Sequence, residues 1–182
     1  RTPGSASNRQ TFTISTWFKN CGVTSVSEDD GVRILEAYTD TNNLTDIYIL
    51  DSDLRIYSRI SSSDNIYWRS DKVFRDPSAW YHIVAAFDMT EGSAGDRIKI
   101  WINGEQITSW ETQTGPPSSY STWINNDKPH YIGRSSQLNN SPNLQYGDQY
   151  LAEYYFIDGT AYDADDFGET DSTTNQWKPI DA

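Results

Sequence analysis

The stretch Trp80–Thr108, WYHIVAAFDMTEGSAGDRIKIWINGEQIT, contains three strand-like runs in succession. Trp80 to Asp88 is aromatic and aliphatic almost throughout, and a loop of Glu, Gly, Ser and Ala follows. Arg97 to Ile102 then alternates, with Arg97, Lys99 and Trp101 on one face and Ile98, Ile100 and Ile102 on the other. Asn103-Gly104 separates this run from a short third one, Glu105 to Thr108. Asn-Gly between alternating residues predicts a two-residue type I′ hairpin, because both turn positions need positive φ. The fold class follows: antiparallel β.

Other strand signals flank this segment. Residues 11–19 alternate, with Phe12, Ile14 and Phe18 opposite Trp17. Residues 32–38, 46–50, 54–60, 65–69, 130–134 and 150–157 read as further strands, separated by Asp, Asn, Ser and Thr clusters that favour turns. Asp51-Ser52-Asp53 predicts another hairpin, and Asp158-Gly159 another tight turn. In 150–157, Leu151, Glu153, Tyr155 and Ile157 alternate with Ala152, Tyr154 and Phe156. Helical periodicity is absent, except that Asp163-Ala-Asp-Asp-Phe-Gly168 reads as a cap, one acidic turn and a glycine stop. About ten short strands with almost no helix predict one all-β domain over 1–182, a two-sheet antiparallel jelly-roll sandwich.

At 182 residues the chain can bury roughly 70% of its unfolded surface, so its core needs neither metal nor disulfide. The single Cys21 excludes an intrachain disulfide and a cysteine-based zinc site. Formal net charge is -12, a field that repels phosphate backbones and anionic bilayers. Nucleic acid is therefore not expected as a partner. Membrane insertion is not expected either, since no apolar run approaches the ~20 residues needed to span.

The ordered series FTISTWFK (12–19), WYHIVAAFD (80–88), IKIWINGEQI (98–107), HYIGR (130–134) and YLAEYYFIDGTAYDADDFGE (150–169) resembles the concanavalin A-like lectin/glucanase superfamily, in its laminin-G-like or pentraxin-like branch. The closing FIDGTAYDADDFGE and WKP resemble domains of structural and tail-fibre proteins of tailed phages, marine and cyanobacterial phages among them. That resemblance implies a virion setting, external and with other virion proteins as partners, and a homotrimer as one assembly state. It also implies that the natural protein extends beyond one or both ends.

The superfamily includes retaining glucanases, which need two carboxylates about 5 Å apart, presented as E-x-D-x-x-E on a strand. Glu28-Asp29-Asp30 and Glu169-Thr170-Asp171 both lack the second glutamate. His82 and His130 each sit within a strand, beside Tyr and Ile, and read as packed residues. G-x-S-x-G, P-loop and H-E-x-x-H patterns are absent. A non-enzymatic domain is expected.

Recognition is expected in the loops. Trp110, Tyr120 and Trp123, with Asn125, Asn126 and Asp127, form a possible sugar platform in the long polar stretch 110–129, where rings would stack on sugar C–H faces. The alternative is that these rings fold the loop back on the sandwich. The resemblance also implies Ca²⁺ at a loop rim, with Asp88, Asp96 and Asp148 as ligands. The alternative is that they are turn-forming aspartates. A purely architectural role would use exposed aromatics such as Tyr57, Tyr67 and Trp68.

Overall fold

A computed structural model describes residues 1–21, 31–136 and 145–180. Two antiparallel sheets carry the fold. Sheet A has the order β13 (Gln149–Asp158), β1 (Thr11–Asn20), β6 (Tyr81–Asp88), β7 (Ile98–Ile102), β8 (Glu105–Gln106). Sheet B has the order β10 (His130–Tyr131), β2 (Val32–Asp40), β3 (Asn43–Leu50), β4 (Asp53–Ile60), β5 (Ser63–Val73), β9 (Trp110–Thr114). Two small ribbons complete it, β11 (Arg134–Ser135) with β12 (Gln145–Tyr146) and β14 (Gly168–Thr170) with β15 (Trp177–Pro179). This is the expected jelly-roll sandwich.

The turns follow from backbone stereochemistry. Asn103 and Gly104 have φ of 51° and 81°, and Ile102 pairs directly with Glu105, as a type I′ hairpin requires. Asp51-Ser52 and Ser61-Ser62 also hold positive φ at both positions, which makes β3–β4–β5 a tight meander. Residues 164–166 form the one acidic turn expected. The Asp163 side chain accepts from the Asp165 amide at 2.9 Å, and the Asp166 side chain accepts from the Asp163 amide at 3.1 Å.

The alternating faces meet in one core. Phe12, Ile14, Phe18, Ile83, Phe87 and Ile100 from sheet A pack against Ile34, Ile47, Ile49, Leu54, Ile56 and Trp68 from sheet B. Phe12 stacks on Phe87 with centroids 4.5 Å apart. Burying each such side chain stabilises the fold by roughly 1.5–3 kcal/mol. Trp68 is 2% exposed and its Nε1–H donates to the Thr114 carbonyl, so it forms no surface patch with Tyr57 and Tyr67. Those two tyrosines pack edge to face on the opposite side of the sheet. Trp68 is thus corrected from an exposed to a core position, because strand alternation turns it inward.

The alternation expected in β13 is broken by a bulge. Ser15 pairs with Tyr155 but Trp17 pairs with Ala152, and Glu153 takes φ of 48°. The bulge carries Ala152 onto the face of Trp17 and leaves Leu151 opposite Phe18, packed on the core.

The outer face of sheet A is not left to solvent. Thr13, Ser15 and His82 are almost fully buried there. The C-terminal segment lies across them: the Thr13 hydroxyl donates to the Thr160 carbonyl and accepts from the Tyr162 amide, each at 2.8 Å. Trp177 follows, over the β7–β8 hairpin.

Candidate functional site

The aromatic residues singled out in 110–129 are drawn into the fold. Trp110 begins β9, at the edge of sheet B, and packs edge-on against Trp68 at 4.8 Å. Tyr120 belongs to the core, 8% exposed, with its hydroxyl 2.8 Å from Ser58 Oγ. Trp123 is half-buried; its amide donates to Thr45 Oγ1 and its indole N–H to the Arg59 carbonyl, while Arg9 lies 5.4 Å over the ring. Asn125 is 8% exposed and donates to the Asn8 carbonyl and Asp158 Oδ1. Asp127 is exposed, beside Lys128 at 3.5 Å. Trp110, Tyr120 and Trp123 therefore do not share one open surface.

Arg97 accounts for much of this arrangement. It is 7% exposed, and its guanidinium donates to the carbonyls of Glu91, Gly92 and Pro116 at 2.8–3.0 Å. One fork thereby ties the Met89–Gly95 loop to the start of the 115–129 segment.

Asp88 and Asp96 stand at the base of the Met89–Gly95 loop, where the Asp88 amide donates to the Arg97 carbonyl. Asp88 Oδ1 accepts from both the amide and the hydroxyl of Thr90, the pattern of a turn-forming aspartate. Asp148 is elsewhere. Thr11 pairs with Asp88 at one end of β1 and Asn20 with Gln149 at the other, which separates the two ends by roughly 30 Å at a strand rise near 3.4 Å. The three aspartates thus cannot share one ion. Among the described residues no group of three His, Cys, Asp or Glu side chains could hold a metal ion together.

A different site emerges at the Asn103 end of the sandwich. A cleft of about 730 Å³ opens between the tip of the β7–β8 hairpin, the end of β5 and the C-terminal segment. That volume lies inside the roughly 300–1,000 Å³ span of small-molecule sites. Trp17, Trp80, Tyr81 and Trp177 supply aromatic surface, and Trp80 is 41% exposed. Asn103, Asn175, Gln176, Lys72 and Glu105 supply polar groups.

Each of these side chains is positioned by local structure. Trp17, His82 and Trp177 stack in series, with centroids 5.0 and 6.0 Å apart. The Trp177 indole N–H donates to His82 Nδ1 at 2.9 Å, so His82 carries its proton on Nε2, which faces Ser15 Oγ at 2.9 Å. Burial pushes His82 down to about 4, which keeps it neutral. Asn103 is fixed by its Oδ1, which accepts from the His82 amide at 2.7 Å. Asn175 and Gln176 follow a turn built on Asp171, whose Oδ1 accepts from the amides of Thr173 and Thr174; these bonds hold the carboxyl down at about 2. Lys72 and Glu105 face each other at 3.7 Å.

A sequence profile for the concanavalin A-like lectin/glucanases superfamily, of the third laminin-G type, matches residues 1–151. The chain belongs to that superfamily. Solved structures with the same fold include domains LG4–5 of the mouse laminin alpha1 chain, with TM-score 0.54 and 14% identity over 90% of this chain and 44% of that one. The binding domain of Paraclostridial mosquitocidal protein 1 gives TM-score 0.56 and 14% identity over 89% and 37%. A botulinum neurotoxin type C structure, described in connection with cell entry through two ganglioside molecules, gives 0.53 and 15% over 88% and 35%. This laminin-G-like chain therefore spans less than half the length of these relatives. No curated protein sequence matches it.

Within this laminin-G-like domain, the Asn175, Gln176 and Trp177 wall of the cleft lies beyond the matched region. Trp80 and Tyr81 stand in the segment that reveals the fold, but their partners lie about ninety residues later. Glu169 and Asp171, weighed above as catalytic acids, both bind Lys178. Glu28-Asp29-Asp30 lies outside the described residues. Another carboxylate pair was not foreseen. Glu36 opposes Asp46 across β2–β3, both fully buried, with Asp46 held by Arg33 at 2.9 Å. Burial and the Asp46 charge push Glu36 up to about 7, despite bonds from the Ser136 amide and hydroxyl. Their full burial makes them a structural charge cluster.

Proposed function

We propose that this domain is a non-enzymatic recognition module that binds carbohydrate or a glycan-bearing host surface, with the Trp17–Trp80–Trp177 cleft as its contact. One observation carries the reading. An exposed tryptophan, Trp80, borders the same cleft as three carboxamides, those of Asn103, Asn175 and Gln176. Rings stack on sugar C–H faces while amides and charges bond to hydroxyls, so this combination suits a polyhydroxylated ligand. Two similar solved structures, one described as a binding domain and the other in connection with gangliosides, support it. The setting we propose is a structural or tail-fibre protein of a tailed phage, on the strength of the motifs in 150–179.

Glycan-array and whole-cell binding of the wild-type chain and of Trp80→Ala test this. The expected result is roughly tenfold weaker binding with the native fold retained by circular dichroism, from the loss of one stacking face. Unchanged binding in Trp80→Ala rejects the cleft, and no binding to any glycan or cell surface rejects the function.

An assembly role is favoured by one further observation. β13 is the edge strand of sheet A, with Tyr150 61% and Phe156 37% exposed, and long exposed edges invite pairing. Mass in solution distinguishes a lone module from a trimer or other oligomer.

A further inference from the structure

We propose that a second cavity, which shares only Trp17 with the cleft, binds a protonated primary amine. It lies over the outer face of sheet A, against Trp17 and His82, and has a volume of about 210 Å³. That is below the roughly 300 Å³ of sites for whole drug-sized ligands and suits a single head group. Trp17, Tyr155 and Phe167 form its aromatic walls, Glu153 and Asp166 its acidic ones, and Ile180 borders it.

Three features select a cation. Aromatic faces attract positive charge within about 6 Å of the ring centroid, and three aromatic residues line this cavity. Neither Glu153 nor Asp166 is paired with Lys or Arg among the described residues, and no basic side chain other than His82 lines the cavity. His82 itself opposes no cation. One ring nitrogen faces Ser15 Oγ and the other accepts from Trp177, so the ring is neutral. Each carboxylate uses one oxygen within the fold. Glu153 Oε2 accepts from the Tyr155 hydroxyl at 2.6 Å, and Asp166 Oδ2 accepts from the Asp163 amide at 3.1 Å. A carboxylate has about four acceptor positions, so both retain capacity for the three N–H donors of an ammonium group.

The same head group occurs on amino sugars and on lysine side chains. Titration of the full chain with glucosamine, glucose and Nα-acetyl-lysine methylamide, followed by the ring NMR signals of Tyr155 and Phe167, distinguishes them. Glucosamine, the lysine derivative or both shift the Tyr155 and Phe167 signals, which belong to this cavity and not to the cleft, and whichever binds identifies the source, while glucose does not shift them. High salt weakens the response, since the carboxylates are exposed. Glu153→Gln, which keeps the side-chain shape, weakens amine binding about fivefold, the effect of losing one exposed charge partner. Tyr155→Leu removes one aromatic wall and weakens it independently. An equal response to glucose, no response to either amine, or full binding in both variants overturns the proposal. Trp80→Ala leaves amine binding intact, so the outcome stands apart from that of the glycan cleft.

Discussion

The indole N–H of Trp177 donates to Nδ1 of His82 at 2.9 Å, and this one bond joins the C-terminal segment to the central strand β6. Trp177 can only donate, so the bond exists only while His82 is neutral. The folded protein holds His82 at about 4, against an ordinary value of 6.5. The unfolded chain therefore binds the extra proton between these values, and stability that is complete above 6.5 is lost as pH falls toward 4. From pH 7 to 4.5 the loss is of order 2–3 kcal/mol. In His82→Gln this loss disappears, and melting curves at the two pH values show the variant gaining stability in acid relative to wild type.

Glu36 acts in the opposite direction over the same window. Its carboxyl lies at about 7 in the folded state, against an ordinary 4.5, so its stabilising contribution is complete below 4.5 and is lost as pH rises through 7. Between pH 4.5 and 7 its contribution therefore opposes that of His82, and that of His130, which burial also lowers. Glu36→Gln keeps the shape and removes the titration. Its melting temperature should fall in acid, where the His82 loss is no longer offset, and exceed that of wild type above pH 8, where the buried charge is relieved. Parallel pH profiles for the variant and wild type would refute this assignment.

The fold was legible where one residue pair dictates the backbone. Asn103-Gly104 specifies its turn through positive φ, and Asp163 with Asp166 specifies a reciprocal cap; both rules operate within four residues. The β13 bulge was not legible, because Glu153 holds a φ that its type does not favour and only the pairing with β1 imposes it. Trp110–Thr114 reads as polar loop because it is an edge strand with few buried positions. The candidate site was least legible. Tyr120 and Trp123 look like free loop aromatics until Ser58, Thr45 and Arg59, more than sixty residues earlier, take up their polar atoms. Trp80 looks like a strand residue until Asn175–Trp177 close the cleft beside it.

Gly104 carries two constraints. It holds φ of 81°, and a Cβ added there would lie 2.5 Å from the Trp177 ring. Gly168 meets the same ring from another side at 2.5 Å. Gly104→Ala therefore strains the hairpin and displaces Trp177 from His82, at a combined cost of roughly 2–4 kcal/mol. The expected observation is a lowered melting temperature with a red shift in tryptophan fluorescence as the indole leaves its stack. An unchanged emission maximum would show that the hairpin yields and the ring stays.

Arg97→Lys separates loop order from ligand binding. An ammonium cannot reproduce the planar fork that reaches the carbonyls of Glu91, Gly92 and Pro116, so at least one buried acceptor loses its partner. The cost is about 1–3 kcal/mol. It falls on the Met89–Gly95 loop and the 115–129 segment, whose amides should exchange faster with deuterium. The Trp80 cleft contains no residue from either segment, so glycan affinity should stay within twofold of wild type. A variant that loses glycan binding together with amide protection would instead place recognition in those loops.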